Sequence, residues 1–81
     1  MNKHFRKMKD QPSADWTIAD VQAVCRAYDI EVVPPRGGGS HFKIRHPSQA
    51  HILTIPARRP IKAVYIRRLV SFIECVEAHP S

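Results

Sequence analysis

The stretch Arg36-Gly37-Gly38-Gly39-Ser40-His41-Phe42-Lys43-Ile44-Arg45-His46 holds the residues best suited to chemistry. A run of three glycines leads into Ser40-His41, and a string alternating apolar and basic residues follows. An imidazole titrates near neutrality and can take up a proton there. Cations around a base favour its neutral, proton-accepting form and stabilise negative charge that develops nearby. One histidine among cations suits a substrate that brings its own nucleophile. RNA does: a base removes the 2′-hydroxyl proton, and the oxygen attacks the adjacent phosphorus. That reaction needs no metal and no cofactor from the protein.

Other chemistries fit less well. His41 and His46 lie on opposite faces of one strand, and His51 belongs to the next. No carboxylate is close to them in sequence, so neither a zinc nor a magnesium site is assembled. Ser40 and His41 are adjacent and diverge along an extended chain, and no acid stands near to orient the ring. Neither a Gly-x-Ser-x-Gly turn nor a phosphate-binding Gly-Lys-Ser/Thr loop occurs.

The elements that must hold these residues can be read from periodicity. Thr17 is an N-cap, Asp20 completes a capping box, and Trp16 with Val21 forms a hydrophobic staple. The spacing of Ile18, Val21, Val24, Cys25 and Tyr28 predicts a helix from about Ile18 to Tyr28. "DIEVVPP" reads as a strand stopped by prolines, and Gly37, Gly38, Gly39 and Ser40 as a structural turn. In "SHFKIRH", Phe42, Ile44 and His46 share one face while His41, Lys43 and Arg45 share the other. "HILTIP" is a third strand, with Leu53 and Ile55 toward the core. A closing helix carries the stripe Ile66, Leu69, Phe72, Ile73 and Val76, with Arg67 and Arg68 off it. The fold class is α+β in the order α-β-β-β-α: a three-stranded antiparallel sheet with both helices on one face and the other face open to water.

The bulk numbers agree with a surface site. A chain of 81 residues forms one small domain that buries only about 60% of its unfolded surface, which leaves little room for an enclosed pocket. Net charge is +6, from 13 Lys and Arg against 7 Asp and Glu. No acid lies between Val32 and Ile73, an interval that holds Arg36, Lys43, Arg45, Arg58, Arg59, Lys62, Arg67 and Arg68. Such a segment attracts polyanions: nucleic acid, an acidic membrane surface or an acidic protein. Residues 1–12, with Lys3, Arg6, Lys7 and Lys9, read as a basic flexible tail, and 13–81 as the domain. Cys25 and Cys75 read as reduced, mostly buried thiols of a cytoplasmic protein. No apolar run follows the basic N-terminus and none approaches the ~20 residues of a membrane span, so neither a secretion signal nor a membrane partner is expected.

"GGGSHFKI" followed by "LTIPARRPIKAVYIRRLVSFIE" resembles the HicA toxin family, small mRNA interferases of type II toxin–antitoxin pairs. The likeness runs from about Ile18 to Glu74. Its marker is Gly39-Ser40-His41 at the start of a strand, with Ile55-Pro56 ending the next. The resemblance implies a fold like a double-stranded-RNA-binding domain, His41 as the general base, metal-independent cleavage of mRNA, and inhibition by a HicB-type antitoxin. The chain departs from the pattern at Ala57-Arg58-Arg59-Pro60, where many members have a histidine after the proline. The proton donor is then His51, Lys43 or solvent.

Three readings follow. In the first, a ribonuclease toxin, His41 is the base, Lys43 and Arg45 steady the phosphate, and Arg36, Arg58 and Arg59 hold the RNA backbone. In the second, the same surface binds RNA without cutting it. In the third, it docks an acidic protein.

Overall fold

A computed structural model describes residues 2–79. The elements are α1 (Lys3–Asp10), α2 (Ile18–Ala27), β1 (Glu31–Val33), β2 (His41–Arg45), β3 (Leu53–Pro56) and α3 (Ala63–Ala78). The strands form one antiparallel sheet in the order β1-β2-β3. From α2 onward this is the expected α-β-β-β-α arrangement; α1 is an addition to it.

The start of α2 is set by its cap. The Thr17 side chain accepts from the Asp20 N–H, and the Asp20 carboxylate accepts from the Thr17 N–H at 2.9 Å, closing the capping box. The helix ends in a Schellman motif. The Ile30 N–H reaches the Cys25 carbonyl at 2.9 Å and the Asp29 N–H reaches Arg26 at 3.2 Å. Asp29 takes the left-handed conformation, φ 56°, that glycine most often fills. This turn feeds the chain directly into β1.

The sheet has one dry and one wet face, as its alternation dictates. Ile44, Leu53 and Ile55 are buried against the helices, while His41, Lys43, Arg45 and Thr54 stand exposed on the other side. Register pairs Val32 with Ile44 and Glu31 with Arg45 across β1 and β2. Across β2 and β3 it pairs His41 with Pro56, Phe42 with Ile55 and Lys43 with Thr54. A slip of one residue would turn Ile44 and Ile55 to water, so burial fixes this pairing. The stripe on α3 is buried as expected, Ile66, Leu69, Phe72, Ile73 and Val76 together with Val70. Cys25 is fully buried, and desolvation pushes its thiol up to about 12.

Two expectations are corrected. Cys75 is exposed, because it lies two residues past Ile73, about 200° around the helix and off the buried stripe. The stretch read as a flexible tail contains a helix packed into the core. In α1 the Asn2 side chain accepts from the Phe5 N–H at 3.0 Å, and the chain exits with the Gln11 N–H on the Lys7 carbonyl at 2.8 Å. Phe5 and Met8, three apart on one face, are buried, while Lys3, Arg6, Lys7 and Lys9 are exposed. The Phe5 ring meets Tyr28 edge-on at 5.5 Å, and His4 lies 5.5 Å from the Trp16 ring. Lys9 pairs with Glu74 of α3 at 2.6 Å.

Candidate functional site

The turn before β2 needs two of its glycines. Gly37 and Gly38 have φ of 63° and 80°, where a β-carbon is strained. Gly39 has no such requirement, and an added Cβ would make only ordinary contact, 3.4 Å from Pro35 Cβ. Ser40 is anchored through its carbonyl, which accepts from the Ala57 N–H at 2.7 Å. His41 is thus the first residue of a strand held on the β3 side at its very start. Its ring is exposed on the wet face, and it enters no ion pair or hydrogen bond among the described residues.

Lys43 is the next residue on that face, about 7 Å further along the strand, and Arg45 lies about 14 Å from His41. The two cations are not equivalent. Arg45 is clamped by Glu31 of β1, its Nε donating to Oε1 at 2.6 Å and its Nη2 to Oε2 at 3.3 Å. Arg59 is held the same way by Asp15, at 3.1 and 2.7 Å. The acid-free interval of the sequence is therefore not acid-free in space: residues flanking it fold back onto two of its arginines. Arg36, Lys43 and Arg58 are exposed and have no carboxylate partner among the described residues.

Beside Pro56, the residue opposite His41, the surface dips into a hollow of about 490 Å³ lined by Pro56, Arg58, Arg59, Pro60, Lys62 and Tyr65. Its wall is steadied by Ile61, which is buried and donates its N–H to the Trp16 carbonyl at 2.9 Å. α3 begins here without a side-chain cap or an acid in its first turn, so its partial positive charge adds to that of Arg58 and Lys62. Lys62, read from the sequence only as one cation of the acid-free interval, and Tyr65, not singled out there, both line this hollow. Tyr65 is half-buried, with the Arg68 guanidinium 5.8 Å from its ring centre. The signal available was a lysine and a tyrosine three apart across a helix start in an already basic segment.

The remaining histidines are placed elsewhere. His46 Nδ1 contacts Ser48 Oγ at 2.8 Å and accepts from the Ser48 N–H at 3.1 Å, stabilising the turn after β2. His51 packs edge-on against Phe72 at 5.5 Å. It precedes Pro56 by five residues of mostly extended chain, which is about 17 Å, so it does not reach the surroundings of His41. Of the donors considered, Lys43 and solvent remain. Among the described residues no three His, Cys, Asp or Glu side chains converge as a metal site would require.

The two clamped carboxylates carry a pH signature. Hydrogen bonds from Arg45 hold the Glu31 carboxyl below 4.5, and those from Arg59 hold Asp15 below 3.8. A lowered carboxylate favours the folded state above its unfolded pKa, and that contribution disappears as pH falls through the folded value. Both carboxylates therefore stay ionised, and able to pair with their arginines, throughout the neutral range. Carbon-detected NMR titration should give midpoints for Glu31 and Asp15 below those values, moving back to them in Arg45→Ala and Arg59→Ala respectively.

No family model matches the chain, and neither a curated protein nor a solved structure matches it.

Proposed function

We propose that this chain is a metal-independent endoribonuclease of the HicA type, acting on mRNA in the cytoplasm and held inactive by a HicB-type antitoxin. The observation that supports it is the exposed His41 ring, without a hydrogen-bond or ion-pair partner among the described residues, on a sheet face where the next residue, Lys43, also has no carboxylate partner among them. His41 takes the 2′-hydroxyl proton, and the 2′-oxygen attacks phosphorus while the bond to the 5′-oxygen breaks. Lys43 stabilises the phosphorane charge, and the leaving oxygen takes a proton from solvent. Arg36 and Arg58 hold the flanking phosphates, and the hollow at Pro56 receives the chain on the other side of His41. The products are a 2′,3′-cyclic phosphate and a 5′-hydroxyl. Mapping the ends of an mRNA incubated with protein and chelator tests this. Those two ends are expected; intact RNA overturns the reading.

One observation favours a second reading. Nothing among the described residues orients the His41 ring, and a general base is usually held by a partner. In a binding module of the same shape His41 is one contact among several, and RNA is retarded on a gel but stays full length.

The clamp on Arg45 makes a prediction common to both. Glu31→Gln removes the charge that neutralises Arg45 and frees it for phosphate. RNA affinity should rise, and the dependence of log affinity on log salt should steepen by about 0.7, the value for one more neutralised phosphate on a single strand. Titrating a labelled oligonucleotide at several salt concentrations measures it. An unchanged slope would mean that RNA does not pass over Arg45.

A further inference from the structure

β3 is an edge strand, and its register shows which backbone groups are free. The Ala57 N–H donates to Ser40, and with His41 opposite Pro56 the hydrogen-bonded pairs are Ser40·Ala57, Phe42·Ile55 and Ile44·Leu53. Thr54 therefore points both its N–H and its carbonyl away from β2, and Pro56 adds an outward carbonyl. The proline has no N–H to offer, which is why the edge tolerates it. Below this edge, between β3 and α3, runs a groove of about 440 Å³ floored by Leu53, Val64 and Phe72 and rimmed by Arg67 and Arg68. Ile52 and Val64 are the exposed large hydrophobic residues among those described, 52% and 43% accessible. They flank the same edge, Ile52 just before β3 on the wet side and Val64 in the groove.

A strand edge unpaired among the described residues, an apolar groove and a rim of cations with no carboxylate beside them among those residues fit one kind of occupant. We infer that the β3 edge docks an extended acidic segment of a partner protein, which pairs with Thr54, fills the groove with alternate apolar side chains and sets carboxylates against Arg67 and Arg68. Strand addition takes affinity from main-chain hydrogen bonds and specificity from pockets for every second side chain. Here the edge is short, so the groove and the arginines must contribute much of the affinity. A second copy of this chain is disfavoured, because pairing β3 with itself gathers four guanidinium groups along one seam. RNA would meet the arginines but leave the Thr54 backbone and the apolar floor unused. The inference stands on the geometry of this edge and not on chemistry at His41, so the two fail separately.

The test uses the whole chain, labelled with nitrogen-15, and a capped synthetic peptide with valines at alternate central positions and glutamates at both ends. Binding should slow hydrogen exchange at the Thr54 amide and shift the signals of Val64 and Phe72. The same peptide N-methylated at alternate residues, which cannot pair with a strand, should leave Thr54 unprotected. Lysine in place of its glutamates should abolish binding, and Arg67→Glu with Arg68→Glu should weaken it by about tenfold or more. The N-methylated peptide leaves the protein unaltered, so misfolding of a variant cannot mimic the result. The inference is overturned if millimolar peptide leaves Thr54 exchange unchanged, or if the lysine peptide binds as well. It is equally overturned if single-stranded oligouridylate protects Thr54 in place of the peptide, or if the free protein sediments as a dimer with Thr54 already protected.

Discussion

Replacing His41 with alanine is expected to abolish RNA cleavage while leaving the fold and most of the RNA affinity intact. Loss of a general base costs about 10²- to 10⁴-fold in rate, enough to bring a slow ribonuclease down to background. Little else should change, because the ring is exposed and no hydrogen bond or ion pair depends on it among the described residues. Surface substitutions of that kind alter stability by about 0.5 kcal/mol or less. The backbone that places it is held independently, by the Ser40–Ala57 bond and the pairing with Pro56. Lys43→Ala should behave differently. It removes a charge that the proposed mechanism uses in both binding and charge stabilisation, so it should lower affinity and rate together, and its effect should shrink at high salt. Side-by-side rate measurements, a thermal melt and an RNA titration separate the roles. A His41→Ala protein that cuts at the parent rate eliminates the nuclease mechanism. A parent that binds RNA but never cuts it leaves the binding module.

How much of this was legible in the sequence depended on whether the signal was local. The alternation of His41, Lys43 and Arg45 with Phe42 and Ile44 has the period of a strand, and burying Ile44 decides which set faces water. The Thr17–Asp20 capping box and the stripe on α3 are equally local, and both are present as read. The charge pattern is a different matter. A stretch without acids suggested that His41 stands among unopposed cations, yet Glu31 is 14 residues from Arg45 and Asp15 is 44 from Arg59. Antiparallel pairing places Glu31 beside Arg45, and the loop before α3 brings Arg59 back to Asp15. Neither follows from periodicity. The groove at Val64 was hidden for a related reason, since it is lined from both β3 and α3, while the hollow at Tyr65 lies within the single stretch 56–65 and depends on how that loop turns into α3.

The first ten residues show the same limit from the side of stability, and they supply the second large effect. An isolated helix of 8 residues is not stable in water, and with two large apolar side chains among many basic ones the segment reads as solvated. Packing reverses that: Phe5 is 3% exposed, Met8 is fully buried, and α1 covers Trp16, Tyr28 and the side of α3. Truncating a buried Phe or Met to alanine costs about 2–5 kcal/mol. A domain of this size has a total stability of roughly 4–12 kcal/mol. Phe5→Ala with Met8→Ala should therefore consume most of it, and deletion of residues 1–12 should leave the chain largely unfolded at 37 °C. Lys9→Ala, which breaks only the exposed pair with Glu74, should cost about 0–1 kcal/mol. Urea denaturation of the four proteins, followed by far-ultraviolet circular dichroism, sets the order. A truncated chain that melts like the parent would show that α1 contributes nothing to the core. Basic residues of α1 still face solvent, so Lys3→Ala and Arg6→Ala can weaken RNA binding without moving the melt. Stability and polyanion attraction thus lie on opposite faces of one short helix, and substitutions on each face read them separately.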